Sequence, residues 1–560
     1  MRTPAATVAS FLLAGSLVLS GCSSTSDSDA QDSTSPAPSR KAERTSTSWT
    51  TAAPTEVAAG GTLRLAAATL PASFNPQHAD AANTDAARIL APTVGGAIRI
   101  TQDGGWKVDP DYAESVRVTD KDPLKVKVSL NRRAVWEGGT PITAADMIAF
   151  WKAQNGSNDA YEVSSTTGYE DISDVEQGTD KFTYTVTFKK RTAEWPLYVY
   201  PRLPANVSSK ASSFNSGFSK RAIPANGPFV VKSIDVRKGL ITQTPNPRWW
   251  GDRPKLRTIT WNVATPALQA KAFAADELDA ADLEAATYAT VKDVGRVQRA
   301  PGLEWSQVTV NGGRGPLKDV NVRRAVARAI DRDALAVTAA KGLGARPSTV
   351  GSLMLLPGQR GYRDSSRSIS YDPKAAAALL KKAGWTKGAG GKLVRDGRPL
   401  TLTMPVPRST PTNSRRAVAI KRDLARIGVT LRLRQVPAAK FFDPTVQSLD
   451  FDLVTFTRRG SAFPIGATEP LFYPIDSAQN FTGIGPPRFG EGFDTVLGTL
   501  NDELRARRVA KLDELLLDEV PMIPLAVTPL VVAVQEGVVN YGAAQFEQPD
   551  WTRVGFTKKR

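Results

Sequence analysis

One cysteine, Cys22, and one histidine, His78, among 560 residues bound the chemistry this chain can perform. A lone thiol makes no internal disulfide, and too few thiols and imidazoles exist to cage a zinc ion. A Ser-His-Asp relay would have to use His78, and no Gly-x-Ser-x-Gly turn supplies its serine. With 55 acidic residues, carboxylate pairs for glycoside hydrolysis are always to be found, but none stands in a telling context. Gly312-Gly313-Arg314-Gly315 and Gly388-Ala389-Gly390-Gly391-Lys392 look like phosphate loops, yet neither has the order strand, GxxxxGK[ST], helix, so both read as turns. No catalytic residue, metal or cofactor is therefore expected. The residue types point to a protein that binds rather than transforms.

Cys22 has another use. Arg2 and the apolar stretch from Ala5 to Leu19, broken only by small residues such as Ser10, Gly15 and Ser16, read as an export signal too short to span a bilayer. Leu19-Ser20-Gly21-Cys22 resembles the lipobox of bacterial lipoproteins, which implies that residues 1–21 are removed and that Cys22 becomes the acylated amino terminus. Each lipid methylene buried would then contribute ~0.8 kcal/mol to anchoring on the outer face of the membrane. From 22 to 58 the chain is dominated by Ser, Thr, Asp, Ala and Pro, a composition expected to form a flexible tether. Beyond it, 41% hydrophobic content over the whole chain is ample for real cores, and the most apolar late stretch, Ile523 to Val539, is interrupted by Pro524, Pro529 and Gln535. The net charge of +17 fits a basic coat on an exported protein in an acidic envelope. An exported location and the lack of a recognition motif exclude nucleic acid as partner.

The elements that would hold a binding site alternate between strand and helix. Thr62-Leu63-Arg64-Leu65-Ala66 reads as a strand leading to a turn at Ser73-Phe74-Asn75-Pro76, and Leu124 to Leu130 alternates strictly. Thr143 is placed to cap a helix carrying Met147, Phe150 and Trp151. Val322, Val326, Ala329 and Ile330 form the inward stripe of another helix, with Arg324, Arg328 and Arg332 expected on its solvated side. Asp396-Gly397 predicts a hairpin, and Gly384 a helix stop.

Ordered motifs link these elements. Leu317-Lys318-Asp319-Val320-Asn321-Val322-Arg323-Arg324-Ala325-Val326-Ala327-Arg328-Ala329-Ile330-Asp331-Arg332 closely resembles the signature of the extracellular solute-binding proteins of family 5, the peptide- and nickel-type receptors of ATP-driven importers. Ala225-Asn226-Gly227-Pro228-Phe229, Asn246-Pro247-Arg248-Trp249-Trp250-Gly251 and Tyr371-Asp372-Pro373-Lys374-Ala375 follow the family's pattern in order, and the resemblance covers about 60 to 540. It implies an α/β fold of the two-lobed periplasmic-binding-protein type II, in the large class with an extra subdomain, closing on a ligand between the lobes. Lobe I is expected at 59–308 with an inserted subdomain at about 100–225, lobe II at 309–524, and a return to lobe I at 525–560. Trp249 and Trp250 are expected to be structural.

The chain departs from the peptide-binding relatives at one place. Their strand resembling Phe451-Asp452-Leu453-Val454 is followed by an aromatic residue and an aspartate that pairs with the peptide ammonium. Here the segment reads Phe456-Thr457-Arg458-Arg459, so the acid is missing and two guanidiniums stand nearby. Such a site favours carboxylate, phosphate or a neutral polyol. The expected ligand-binding residues are Phe74 and Asn75 after the first strand, Arg408 at a strand end of lobe II, and Phe456, Arg458 and Arg459 opposite. The expected function is capture of an oligopeptide, or of an anionic or glycan-like solute, by a monomeric, lipid-anchored receptor on the extracytoplasmic face of the cell membrane, which delivers it to an ABC permease. The alternative is a lipoprotein of the same fold that regulates synthesis of phosphatidylinositol mannoside and lipoarabinomannan.

Overall fold

The computed structural model describes residues 47–81 and 83–558. Cys22, the leader 1–21 and residues 22–46 of the expected tether lie outside the described residues. The first strand, Thr62–Ala67, buries Leu63 and Leu65 and pairs in parallel with Thr258–Val263. Antiparallel neighbours Leu240–Pro245 and Phe229–Asp235 complete a four-stranded sheet. Beside it stands a second sheet, antiparallel, of Ala113–Lys121, Leu124–Leu130, Thr183–Phe188 and Ile172–Gln177. Leu124, Val126, Val128 and Leu130 all face inward, as the period of two requires. Thr143 and Asp146 form a reciprocal capping box that starts the helix Ala144–Gln154, which turns Met147 and Phe150 into the same core. Both sheets share one hydrophobic core, which also takes residues from 530 to 556.

The other lobe is built on two further sheets. Thr401–Pro407 and Thr430–Val436 pair in parallel, and Glu304–Val310 lies between Leu453–Arg459 and Met522–Val527 in an antiparallel three-stranded sheet. Asp319 caps the helix Val320–Ala329 by accepting from Asn321 N–H, and Val322, Ala325, Val326 and Ala329 are fully buried. Each such apolar side chain contributes roughly 1.5–3 kcal/mol for a residue of Val or Leu size. Asp372 caps Pro373–Lys382, and Asp396 and Gly397 both take positive φ in the expected hairpin. Apart from Phe546, the large core of this lobe is drawn from residues 305 to 527.

Two short segments join the lobes. Arg296–Ala300 belongs to a lobe I sheet with Leu530–Val534 and Ala280–Asp282, so the chain passes between lobes at 301–303 and again at 528–529. The two crossings touch. Thr528 N–H donates to Glu304 carbonyl at 2.7 Å, and a Cβ on Gly302 would stand 2.0 Å from the Thr528 carbonyl oxygen. A glycine is needed there because two backbones meet without room for a side chain.

Two expectations change at this level. The end of the presumed tether is part of the body: Val57 is buried, Asn540 Oδ1 accepts from Ala52 N–H at 2.9 Å, and Ser48 N–H donates to Ala543 carbonyl at 2.8 Å. Sparse apolar content was enough because Asn540 satisfies backbone groups that a free strap would give to water. Two members of the arginine stripe, Arg324 and Arg332, are also engaged by the protein. Arg332 donates to the carbonyls of Val350 and Pro524 and to Ser366 Oγ, and Arg324 donates to Asp518 carbonyl. Arg323, next to Arg324, is buried, pairing with Glu519 at 2.9 Å and donating to the Leu317 carbonyl.

Candidate ligand-binding site

A cavity of about 470 Å³ lies between the lobes. Lobe I contributes Trp106, Lys121, Glu194 and Trp195, and lobe II contributes Gln359, Arg360, Phe463, Ile465, Leu497 and Arg505 among others. Trp106 is placed by the two-stranded ribbon Ile98–Ile100 with Trp106–Val108, and it meets Trp195 edge-on at 5.2 Å between centroids. The ribbon's turn carries Asp103, buried and bonded by Gly105 N–H at 3.2 Å. From that turn Asp103 receives Arg360 Nη2 across the cleft at 2.7 Å.

Glu194 makes a two-pronged bond between the lobes. It precedes the short turn Trp195–Leu197, and its two carboxylate oxygens accept Ile465 N–H at 2.7 Å and Gly466 N–H at 2.9 Å. Those donors are free because they open the helical turn Ile465–Thr468, whose first amides have no intrahelical partner. Burial pushes the Glu194 carboxyl up to about 7, although both N–H groups and Arg505 act against it. Two further contacts cross the same rim: Ala193 N–H donates to Leu497 carbonyl at 2.7 Å, and Lys190 meets Asp494 at 3.3 Å. Burial also pushes Glu469 up to about 7, with Lys190 opposing and Asp494, Asp171 and Glu170 reinforcing the shift. The lobes are thus closed and pinned along this rim.

Nearer the hinge the seam is cationic. Arg88 pairs with Asp282 at 2.6 Å on lobe I, and Arg459 of lobe II comes within electrostatic range of both while meeting Glu304 at 3.6 Å. Arg458, on the opposite face of the same strand, has no hydrogen-bonding or ion-pairing side chain or carbonyl, and its Nε is buried without a partner. Its guanidinium lies over the Phe456 ring at 5.2 Å, and burial pushes it down to about 10.

The expected site residues therefore separate. Phe456, Arg458 and Arg459 stand on the strand Leu453–Arg459, directly before the cavity wall Ala462 to Ile465. Phe456 is part of a small core with Phe441 and Phe451, so its ring supports Arg458 and does not line the cavity. Phe74 and Asn75 are wholly buried in lobe I and not on the cavity wall, a correction to their expected role. Asn75 is consumed by the loop itself, donating to Phe214 carbonyl at 2.9 Å and accepting from Gln77 N–H at 3.1 Å. Arg408 is exposed and likewise outside the cavity wall. Trp249 and Trp250 pack on Tyr112 at 5.8 and 5.6 Å, as structural residues. Sequence reasoning missed Asp103, Glu194 and Arg360. A signal for Glu194 existed: it is the one charge in the run Ala193 to Tyr200.

Two α/β lobes on a double crossover, enclosing a cavity between them, define a solute-binding protein of the type II periplasmic class. The model of bacterial extracellular solute-binding proteins, family 5 (middle region), matches residues 107–481, and the chain belongs to that family. It is 34% identical over 552 residues to the oligopeptide-binding protein OppA of Mycobacterium tuberculosis (strain ATCC 25618 / H37Rv), covering 97% of this chain and 92% of that one. A probable monoacyl phosphatidylinositol tetramannoside-binding protein, LpqW, of the same organism is 25% identical over 358 residues, covering 58% of this chain and 55% of that one. The periplasmic EDTA-binding protein EppA superposes with a TM-score of 0.81 at 26% identity, covering 91% of this chain and 98% of its own. The protein is a binding protein and not an enzyme, and its place is extracytoplasmic. Among the described residues no helix is long and apolar enough to cross a membrane.

Proposed function

We propose that this protein is the lipid-anchored, monomeric receptor of an ABC importer, capturing a peptide-like or other small solute between its lobes and presenting the closed form to a permease. The observation that carries the reading is the cavity between lobes pinned shut by Glu194, Asp103 and Arg360, because such a latch makes ligand enclosure and lobe closure one equilibrium. Acylation of Cys22 would hold the receptor beside its permease, raising the effective concentration of the pair. The near full-length likeness to a mycobacterial oligopeptide-binding protein supports peptide capture over the regulatory alternative, which rests on the shorter likeness to LpqW. Full-length protein in detergent, titrated with a tripeptide mixture and followed by small-angle scattering, should contract on ligand binding and scatter as one copy. A radius of gyration indifferent to every solute tried would refute the reading.

A further inference from the structure

Charge is not spread evenly over the molecule. Between Tyr371 and Lys440 the chain carries 16 Lys and Arg against three Asp and no Glu, so 70 residues supply +13 of the net +17. This stretch of lobe II folds as the helix Pro373–Lys382, a small sheet within 386–399, the strand Thr401–Pro407, the helix Pro411–Arg426 and the strand Thr430–Val436. Its three acids offset little of the charge. Asp372 caps the first helix, Asp423 is buried against Arg422 and Arg426 at 3.3 and 3.2 Å, and Asp396 reaches only Arg395, at 3.9 Å. From outside the stretch, Asp450 takes Arg434 at 2.6 Å. Lys381, Lys382, Lys392, Arg398, Arg415 and Lys421 are exposed, and among the described residues no carboxylate pairs with them.

Hydrogen bonds stitch these elements into one surface region. Arg426, at the end of the longer helix, donates to Tyr371 Oη at 3.2 Å, just before the shorter one. The small sheet docks on the turn after the longer helix, where Leu393 N–H donates to Gly428 carbonyl at 3.2 Å, and Thr430 N–H donates to Leu400 carbonyl at 3.0 Å. The longer helix turns Ala417, Ile420 and Leu424 into the core, so Arg415, Val418, Lys421 and Arg422 lie on its outer side. Its 16 residues extend about 24 Å, so the charge is drawn out along a line and not gathered at a point. Two apolar side chains stand exposed in the same region, Val418 at 57% and Tyr371 at 41%. Val418 is one turn from Arg415, Lys421 and Arg422, so cations ring an apolar tip. Like charges held this way repel one another, and an anionic counter-surface relieves them.

We infer that this face of lobe II, centred on the helix Pro411–Arg426, docks on a bilayer containing anionic phospholipid. The inference rests on the reading of the protein as a receptor held at the membrane. Charge complementarity carries it: phosphate headgroups supply the anions that the chain withholds here, and each Lys or Arg brought to an anionic bilayer surface strengthens attachment about fivefold. A bilayer also receives Val418 and Tyr371 at its headgroup boundary, where a dissolved polyanion offers an apolar side chain nothing. Contacts between exposed charges are reversible, so lobe II settles on the surface and lifts from it while residues 48–52 keep their bonds to lobe I.

The test uses the full chain carrying Cys22→Ser, so that no acyl anchor contributes, co-sedimented with vesicles of phosphatidylcholine alone or of phosphatidylcholine with phosphatidylglycerol. At about 0.1 M salt it should bind the anionic vesicles at least about 100-fold more tightly than the neutral ones, and about 1 M salt should erase the difference. Arg415→Gln combined with Lys421→Gln should weaken anionic binding by roughly 25-fold, at about fivefold per charge. Arg415→Lys combined with Lys421→Arg keeps both charges and should bind as the parent does. Lys232→Gln combined with Lys271→Gln makes the same change in net charge on exposed residues of lobe I, and should bind within about twofold of the parent because salt screens charges that far from the contact. Equal affinity for neutral and anionic vesicles overturns the inference. So does a lobe II variant that binds like the parent, or a lobe I variant that loses as much. Contraction on solute binding is read by scattering without vesicles, which keeps the two readings apart. A chain that contracts yet ignores anionic vesicles refutes this inference alone, and one that binds them through lobe II but never contracts refutes the receptor reading alone.

Discussion

Lowering the pH from 8 to 6 should shift the ligand-free protein toward closed lobes by about tenfold through Glu194 alone. In the closed form burial pushes the Glu194 carboxyl up to about 7 from an ordinary 4.5, and parting the lobes returns it to water. A carboxyl whose pKa is higher closed than open takes up a proton on closing. Closure therefore strengthens as pH falls through 7 and gains nothing more below about 4.5. The full displacement from 4.5 to about 7 corresponds to ~3 kcal/mol, of which the span from pH 8 to 6 collects rather less than half. Glu469, also raised to about 7, titrates in the same sense beside Lys190, Asp494, Asp171 and Glu170. The assay is the distance between spin labels placed one on each lobe, read across pH in the wild type, Glu194→Gln, and Glu194→Gln with Glu469→Gln. The single variant should lose part of the dependence and the double variant should be flat. A wild type that opens on acidification, or a double variant that still closes, would refute the reasoning.

Phe74→Ala empties a fully buried site in lobe I and should cost about 3–5 kcal/mol in chemical denaturation while leaving ligand preference unchanged. Gly227→Ala places a Cβ 2.6 Å from the Thr93 carbonyl carbon, between backbones bonded at 2.9 Å, so a loss of roughly 1–3 kcal/mol or more is expected in the same measurement. Cys22→Ser should move the protein from the membrane to the soluble extracytoplasmic fraction, seen by fractionation and by loss of palmitate labelling, with solute affinity intact.

Local chemistry was legible and long-range geometry was not. The Thr143 cap, the Asp396-Gly397 turn and the alternation from Leu124 to Leu130 depend on neighbours within a few residues, so their residue types declare them. The family motifs did the same for topology; Gly227, for example, is required by the close approach of Thr93. The latch has no such signature, because Glu194 and Ile465 stand 271 residues apart. Asn75 misled for a physical reason. A loop asparagine after a strand looks available to a ligand, yet its short amide bonds to nearby backbone first. The Arg458 and Arg459 pair was visible as an absence of acid, but only the fold separates them, one bound to Glu304 and one bare.

The docked strap at residues 47–58 fixes where the receptor would be moored under the proposed acylation of Cys22. Its bonds run to Asn540, Ala543 and Arg296, all on lobe I, and Arg296 opens one of the strands leading into the crossover. Covalent geometry alone limits the separation of Cys22 from residue 47 to at most roughly 90 Å at 3.3–3.6 Å per residue. With the proposed lipid on Cys22, the strap's bonds to lobe I beside the hinge would make lobe I the hull at anchor and lobe II the part that swings. A permease waiting at the bilayer would then read closure as the arrival of lobe II at a fixed berth.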